Sequence, residues 1–367
     1  MTNAPLLSFF RERGVPLREL APDTVTPARF NDPPTEHLAT RRTCGLFDFS
    51  FMGCIELWGR ESLAFLHRLQ TRNLSHLAQG RLVYTLLLRP DGTVLSDATV
   101  WRLGAERYWL FVGRRADVAH VSSLAAGYPV FLADRSSDQA IIAVQGRRAR
   151  ATIACCLSGV PAALPYYAFA SARFDGAECI MARLGYSGDT GYELVVDAGR
   201  GAMLWRALLN AGAAHDIAEC GFDAADSLRI EAGHILFSRE LAFPVTPCEL
   251  GLTRLLDFYR DPATGVAALA ARRWQEPRQH LAGLMIDDES PQPVATTGGE
   301  STLPVAGIAR PTSVCRSPIF GRLLGLGFVS PADRYPGTRV KLAGGGRARV
   351  ARLPFYDPAR FLSRRVP

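Results

Sequence analysis

The stretch that decides the fold is residues 84–100, YTLLLRPDGTVLSDATV. Two runs of β-forming residues flank the Pro-Asp-Gly sequence at residues 90–92, and this combination is typical of a β-hairpin. Because side chains alternate between the two faces of a strand, Asp97 and Thr99 are predicted to point to the same side. Aspartate is uncommon inside strands, so Asp97 needs an explanation.

Asp97 has two interpretations from its position alone. Its carboxylate lies on the solvated face of an edge strand, or it is held in a cleft beside the Thr99 hydroxyl. In the second case it can accept a proton or stabilise positive charge on a nitrogen atom. The hairpin by itself does not decide between the two.

The composition is typical of a globular protein. A chain of 367 residues suggests two or three domains, and 48% hydrophobic with 21% charged residues excludes disordered and collagen-like chains. Strand-like runs, hairpin turns and a few amphipathic helices alternate, which predicts an α+β fold. Two helices, near residues 60–70 and 201–211, are predicted to bury Leu63, Leu66, Leu69, Met203, Trp205, Leu208 and Leu209.

The sequence offers no membrane span. The longest strictly hydrophobic run, residues 266–271, has about six residues against the ~20 needed to cross a bilayer. The N-terminus lacks the pattern of a secretory signal, so a cytoplasmic protein is expected. The eight cysteines form no tight framework and no Cys/His cluster has metal-ligand spacing, which predicts reduced, mostly buried thiols and no metal.

The net charge of +7 comes almost entirely from arginine, since Lys341 is the only lysine among 42 basic residues. The arginines form no basic run with interleaved aromatic residues, so a nucleic-acid partner is not expected. A modest positive charge suits an anionic small molecule or an acidic partner protein. Neither a dinucleotide-binding nor a P-loop glycine motif is present, and the glycines at 344–346 are interpreted as a turn.

A second feature is the turn-rich segment at residues 185–193, GYSGDTGYE, which precedes an apolar run. A hairpin here would bring Tyr186 and Glu193 together and offer one flat ligand an aromatic face and a carboxylate acceptor. The alternative is that Gly188 and Gly191 only build the turn while Glu193 is solvated.

A third feature is the segment at residues 223–233, DAADSLRIEAG. It predicts a short helix that begins with Asp223 as N-cap and ends at Gly233. Arg229 would then hold a ligand carbonyl or carboxylate, or form a surface salt bridge with Asp226, and the sequence leaves both open.

The polar stretch at residues 286–304 indicates a boundary or an exposed loop. The chain beyond residue 304 is mainly β in character and includes two strand-like runs within residues 339–353, RVKLAGGGRARVARL. The end of the chain is therefore predicted to form a β-rich unit.

Together these stretches resemble the folate-dependent aminomethyltransferase family, whose best-known member is the T-protein of the glycine cleavage system. The resemblance runs from about residue 36 to the C-terminus. It is carried by EHLA at 36–39, GLFD at 45–48, SFMG at 50–53, YT at 84–85, DG at 91–92 leading to Asp97, the 185–193 loop, DSLRIEAG at 226–233, TPCELGL at 246–252, TS at 312–313 and SP at 317–318.

The resemblance implies a three-domain cloverleaf around a central channel that holds tetrahydrofolate. Residues 1–284 would form the folate-binding region of two intertwined α+β domains, and residues 285–367 a C-terminal β-barrel-like domain. Asp97 matches the catalytic aspartate of the family. The residues that match folate-binding positions are Glu193, Tyr186, Thr99, Arg229, Met52 and Tyr84.

The chain departs from the T-protein pattern at three points. Ser96 stands where a T-protein has the first of two paired aspartates, Phe51 stands where it has histidine, and an N-terminal Gly-Trp segment is missing. The Ser-Asp-x-Thr sequence ending at Thr99 resembles the folate domains of sarcosine and dimethylglycine oxidases and related demethylases. The chain has no flavin-binding glycine motif, so it is not expected to oxidise an amine itself.

The leading hypothesis is a tetrahydrofolate-dependent transferase that takes a methyl or methylene group from a small amine, sulfur or oxygen donor. An acidic carrier or a separate oxidase protein would be its partner. One alternative is a glycine cleavage T-protein, which works with an acidic lipoyl carrier. Another is a non-catalytic folate-binding protein for iron-sulfur assembly, although its K-G-C-Y-x-G-Q-E motif is missing between His234 and Gly265.

Overall fold

The computed structural model describes residues 4–259, 264–287 and 303–364. Its strands are β1 (Leu17–Ala21), β2 (Thr24–Pro27), β3 (Cys44–Asp48), β4 (Gly53–Trp58), β5 (Leu82–Leu88), β6 (Val94–Arg102), β7 (Arg107–Val112), β8 (Phe131–Asp134), β9 (Gln139–Gln145), β10 (Phe169–Phe174), β11 (Ala177–Ala182), β12 (Gly191–Asp197), β13 (Ile217–Glu219), β14 (His280–Ile286), β15 (Ile308–Ser317), β16 (Arg322–Val329), β17 (Arg339–Leu342) and β18 (Arg347–Ala351). Its α-helices are α1 (Leu7–Glu12), α2 (Pro33–Arg42), α3 (Ser62–Leu69), α4 (Ala116–Leu124), α5 (Ala149–Cys156), α6 (Ala198–Gly212), α7 (Phe222–Glu231), α8 (Val266–Ala270) and α9 (Phe361–Arg364). The predicted mixture of helices and sheets is confirmed.

The predicted hairpin forms one end of a five-stranded sheet with the order β5-β6-β7-β4-β8. Strands β5 and β6 pair in antiparallel register, with Tyr84 opposite Thr99. The turn between them needs Gly92, because its φ of +86° is a left-handed backbone that other residues rarely adopt. Helix α3 buries Phe65, Leu66 and Leu69 in the core of this unit, as the spacing of its leucines predicts.

A second sheet has six strands in the order β10-β11-β12-β9-β3-β13. The reversal predicted at residues 185–193 is confirmed, because β11 and β12 are an antiparallel pair on either side of it. Helix α6 buries Leu204, Trp205 and Leu208 in the core of this sheet. Met203 is 43% exposed, so its predicted place in the core is wrong: its position on the helix faces away from the sheet.

The last five strands close into a barrel with the order β14-β16-β15-β17-β18. The glycines at 344–346 form the turn between β17 and β18, as expected. The division predicted after residue 284 falls within β14, the first strand of the barrel. Most of the stretch at 286–304 that was predicted to be a boundary lies outside the described residues.

Helix α7 begins two residues earlier than predicted, because its N-cap is Gly221 instead of Asp223. Tertiary contacts decide this start. The Gly221 backbone N–H donates to the Glu36 carboxylate at 2.7 Å, and a Cβ at Gly221 would lie 2.2 Å from the backbone oxygen of Ala28. Asp223 instead accepts a hydrogen bond from Arg18. The predicted end of the helix is close to the observed one, because the residue at 233, a glycine with a left-handed backbone (φ +68°), follows shortly after the helix.

Arg229 on α7 is the centre of a buried ion-pair network. Its guanidinium lies 2.7 Å from an oxygen of Asp226 and 2.9 Å from an oxygen of Glu240, and all of its side chain is inaccessible to solvent. It also donates to the Ser313 hydroxyl of β15 at 2.6 Å, and Glu240 accepts from Thr312 of the same strand. The network therefore joins helix α7 to the barrel.

The cysteines and the apolar character of the helices were also subjects of prediction. All eight cysteines are free thiols, and four of them, Cys44, Cys54, Cys179 and Cys220, are buried, fewer than predicted. In the described parts of the chain, no helix has the length and apolar character that crossing a bilayer requires.

Replacing Arg229 by methionine should lower the free energy of unfolding by about 3–5 kcal/mol, because the buried Glu240 would lose its countercharge and the partly buried Asp226 would keep only Arg18. Urea unfolding at neutral pH measures this loss. Arg200→Met is the matched control, because Arg200 and Asp175 form an exposed pair that should contribute less than about 1 kcal/mol. Equal losses in the two variants would contradict the role given to the Arg229 network.

Candidate functional site

A cavity of about 520 Å³, here called the main cavity, lies where the five-stranded sheet, the six-stranded sheet and the barrel meet. Its size is within the range of small-molecule sites, roughly 300–1,000 Å³. The residues that line it include Phe49, Phe51, Met52, Tyr84, Asp97, Thr99, Phe111, Tyr166, Tyr167, Tyr186, Glu193, Phe222, His234, Phe237, Arg254, Arg334, Arg352 and Arg360. The lining is mainly apolar and includes nine Phe or Tyr rings, two carboxylates and four arginines.

Asp97 faces the main cavity from β6, which has β5 on one side and β7 on the other. The solvated edge-strand interpretation therefore does not hold. One carboxylate oxygen, Oδ2, accepts a hydrogen bond from the Tyr84 hydroxyl at 3.0 Å. Burial raises the pKa of Asp97 to about 6, although the bond from Tyr84 opposes the change. A carboxylate with this pKa can take or release a proton near neutral pH.

Thr99 lines the same cavity two residues further along β6, so the shared orientation predicted for Asp97 and Thr99 is observed. The indole Nε1–H of Trp101 donates to the Thr99 hydroxyl oxygen at 2.8 Å. Because that bond uses an oxygen lone pair, the Thr99 O–H stays available to donate to a group in the cavity.

Glu193 reaches the main cavity from β12 in the other sheet. Its side chain is buried, with 7% of the residue exposed, and among the described residues no donor is hydrogen bonded to its carboxylate. Burial raises the pKa of Glu193 to about 7. A buried carboxylate without a hydrogen-bond donor is unfavourable, and donors on a ligand would relieve this penalty.

Tyr186 lines the cavity from the loop that precedes β12. Its hydroxyl donates to the backbone oxygen of Ile235 at 2.6 Å, and its ring is stacked on the imidazole of His234 with centroids 5.7 Å apart. Burial, assisted by the charge of Arg360, lowers the pKa of His234 to about 3. The imidazole is therefore neutral at physiological pH.

Met52 and Phe51 enter the cavity from the turn between β3 and β4. Phe51 contacts the rings of Phe222 and Phe237, with centroids 5.9 and 6.4 Å away. The departure from histidine at position 51 thus leaves an apolar aromatic wall at this point of the cavity.

Arg229 is the one predicted site residue that does not line the cavity. The salt bridge with Asp226 that was its alternative is present, but it is buried instead of lying at the surface. Arg229 does contact the site indirectly, because its Nη1 donates to the backbone oxygen of His234 at 3.1 Å. Its guanidinium is saturated by protein groups and so is not free to bind a ligand.

Sequence reasoning missed several lining residues. His234 follows directly after the 226–233 motif, and Arg254 comes two residues after the 246–252 motif, so proximity to a motif could have indicated both. Tyr167 gave no such signal. Its backbone is left-handed (φ +59°), which is strained for an aromatic residue, and such strain is frequent at functional sites.

Comparison with known proteins gives concordant results. The model of the family "GCVT N-terminal domain" matches residues 22–260. The chain is 33% identical over 342 residues to an aminomethyltransferase of Moorella thermoacetica, covering 90% of this chain and 92% of that protein. It is 31% identical over 368 residues to an aminomethyltransferase of Bacillus subtilis, covering 97% and 99%.

A solved structure is also similar to this chain over nearly its whole length. The fold is similar to that of the glycine cleavage system aminomethyltransferase T from Bartonella henselae, with a TM-score of 0.82 and 25% sequence identity. The match covers 96% of this chain and 98% of that chain. The likeness therefore includes both sheets and the barrel.

The raised pKa of Glu193 predicts a pH-dependent penalty in the protein without ligand. The folded state holds this proton more tightly than the unfolded chain, so the free energy of unfolding falls as the pH rises from about 4.5 to about 7. Glu193→Gln removes the ionisation. The variant should match the wild type near pH 4.5 and be more stable by about 2–3 kcal/mol at pH 8.

Urea unfolding across this pH range measures the difference between the two proteins. Glu106→Gln, at an exposed position, is the control and should show no pH-dependent difference from the wild type. A constant offset for Glu193→Gln at all pH values would show that Glu193 does not carry the penalty.

Proposed function

Because the chain belongs to the folate-dependent aminomethyltransferase family, we propose that it transfers a one-carbon unit from an aminomethyl donor to tetrahydrofolate in the main cavity. The observation that carries this proposal is the meeting of two carboxylates, the partly buried Asp97 and the buried Glu193, in one mainly apolar cavity that is rich in aromatic rings. Their raised pKa values suit a site that binds hydrogen-bond donors and develops positive charge.

The cavity fits a reduced pterin by two independent features. Glu193 has unused acceptor capacity, and the ring N–H and amino groups along one edge of a pterin are donors that can pair with a carboxylate. The ring of Tyr186 offers a flat apolar face beside it. When bound, tetrahydrofolate supplies the ring nitrogen that accepts the one-carbon unit.

Asp97 is proposed as the catalytic residue. Transfer of carbon to a nitrogen develops positive charge, and a nearby carboxylate in a water-poor cavity stabilises that charge strongly. With a pKa of about 6, Asp97 is largely ionised at neutral pH and can also accept a proton. The Tyr84 hydroxyl orients the carboxylate through its hydrogen bond to Oδ2.

The other predicted site residues take supporting roles in this proposal. Thr99 offers a hydroxyl donor beside Asp97, and Met52 contributes apolar surface to the cavity wall. Arg229 is a positioning residue, because it holds the backbone of His234. The next residue, Ile235, accepts the hydrogen bond of Tyr186, so this contact keeps the aromatic face in place.

The donor is proposed to be an aminomethyl group, which the names of the relatives support. The positive net charge suits an acidic carrier protein as the source of that group. The cloverleaf arrangement, with a folate-binding region at residues 1–284 and a β-barrel-like domain at 285–367, is part of the same proposal. It is supported by the position of the main cavity between two sheets and a barrel.

Replacing Asp97 by asparagine should lower kcat by about 10²–10³-fold, because the amide neither stabilises positive charge nor accepts a proton. The dissociation constant for tetrahydrofolate should change less than about threefold. The assay follows formation of methyl- or methylene-tetrahydrofolate from a panel of aminomethyl compounds, methylated amines, thioethers and aryl ethers. Asp91→Asn, in the exposed hairpin turn, is the control. Equal kcat values for wild type and Asp97→Asn would remove Asp97 from the mechanism.

Replacing Glu193 by glutamine should instead weaken tetrahydrofolate binding by about 10–100-fold, which corresponds to the loss of a charged hydrogen-bond acceptor. Calorimetric titration of the full chain with tetrahydrofolate measures the dissociation constant without any donor present. An unchanged dissociation constant would exclude the proposed contact between Glu193 and the pterin.

A further inference from the structure

His234 has a place in the site that the proposed function does not yet use. Its side chain lines the main cavity and also a smaller cavity of about 230 Å³ that shares part of the same lining. It follows directly after Gly233, where the left-handed backbone (φ +68°) turns the chain away from helix α7. The imidazole therefore belongs to the wall of the main cavity at the point where the two cavities adjoin.

The backbone of His234 is held at both of its polar groups by one residue. The His234 N–H donates to the backbone oxygen of Arg229 at 2.9 Å, and the His234 oxygen accepts from Nη1 of the same arginine at 3.1 Å. Arg229 is itself fixed by its ion pairs with Asp226 and Glu240. The position of His234 is thus set by the fold, without help from a ligand.

The orientation of the imidazole is also set by the fold. The ring lies nearly parallel to the ring of Tyr186, with an angle of 14° between the planes and centroids 5.7 Å apart. The Tyr186 hydroxyl donates to the backbone oxygen of Ile235 at 2.6 Å, which ties this aromatic ring to the residue next to His234. Stacking covers one face of the imidazole and leaves its two nitrogens, which point outward in the ring plane, for other contacts.

Those two nitrogens lack a protein partner. Among the described residues, no group is hydrogen bonded to either ring nitrogen of His234. Two other histidines show the usual situation: Nδ1 of His37 lies 2.7 Å from the Ser227 hydroxyl, and Nε2 of His67 accepts from the N–H of Leu74 at 3.0 Å. Polar groups away from bulk water normally have a hydrogen-bond partner, so the edge of His234 is available to a ligand.

The imidazole is also uncharged where it faces the cavity. Burial, assisted by the charges of Arg360, Arg229 and Arg41, lowers the pKa of His234 to about 3. At neutral pH one ring nitrogen is therefore a donor and the other an acceptor. Such a ring can form a directional hydrogen bond with a polar group of a ligand.

We propose that His234 is a further ligand-binding residue, whose imidazole hydrogen bonds to a polar group of the ligand in the main cavity. The inference rests on the proposed function, because it takes tetrahydrofolate to be that ligand. The stack on Tyr186 and the two backbone bonds to Arg229 hold the ring in place beforehand, which lowers the entropy cost of forming the bond.

Two substitutions separate hydrogen bonding from stacking. His234→Phe keeps a ring against Tyr186 but has no hydrogen-bonding group, whereas His234→Asn has an amide that donates and accepts. In calorimetric titration of the full chain, the Phe variant should bind tetrahydrofolate about tenfold more weakly than the wild type, and the Asn variant less than about threefold more weakly. His120→Phe, at an exposed position on α4, is the matched control and should bind as the wild type does.

Nuclear magnetic resonance of the wild type adds a measurement that needs no stable variant for its readout. In the full chain labelled with nitrogen-15 histidine, the ring signals of His234, one of seven histidines, should shift when tetrahydrofolate is added. They should keep the values of an uncharged imidazole from about pH 5.5 to about pH 8. The signals are assigned by their absence from either variant.

The outcomes separate this inference from the proposed function. Wild-type affinity in His234→Phe would overturn the inference alone. So would weaker binding by the Asn variant than by the Phe variant, because the ring would then act by stacking. Ring signals of His234 that do not respond to bound tetrahydrofolate would overturn it even if neither variant folds. Failure of the wild type to bind tetrahydrofolate would overturn the proposed function and this inference with it.

Discussion

The constraint on which the site depends is that two carboxylates, Asp97 and Glu193, are partly or fully buried on strands of different sheets. Burial raises both pKa values, so each carboxylate weakens the folded state when it ionises. Such groups persist in a fold when a bound ligand supplies the missing hydrogen bonds or charge. Both carboxylates line the main cavity, so they can act on the same bound ligand.

The surrounding fold holds this arrangement by interactions between distant parts of the chain. Arg229 links helix α7 to the barrel strand β15 through Glu240 and Ser313, and the same side chain holds the backbone beside Tyr186. Its charge is fully used within the protein. Arg229, whose sequence context indicated ligand binding, therefore supports the residues that line the main cavity.

Local patterns in the sequence predict much of this fold. The hairpin at residues 84–100 and the shared face of Asp97 and Thr99 follow from turn chemistry and the alternation of a strand, and neither requires distant contacts. Among the partners of Arg229, Asp226 was predicted from its place three residues back, but Ser313 could not be, because it lies 84 residues further along the chain. The prediction of where α7 starts was wrong for the same reason, because the backbone of Ala28 leaves no room for a side chain at Gly221.

The most direct measurement is a crystal structure of the full chain with tetrahydrofolate. The account predicts the pterin edge within hydrogen-bond distance of the Glu193 carboxylate and a ring nitrogen facing Asp97 across the main cavity. A pterin bound elsewhere, or one seated in the cavity with its polar edge turned away from Glu193, would contradict it.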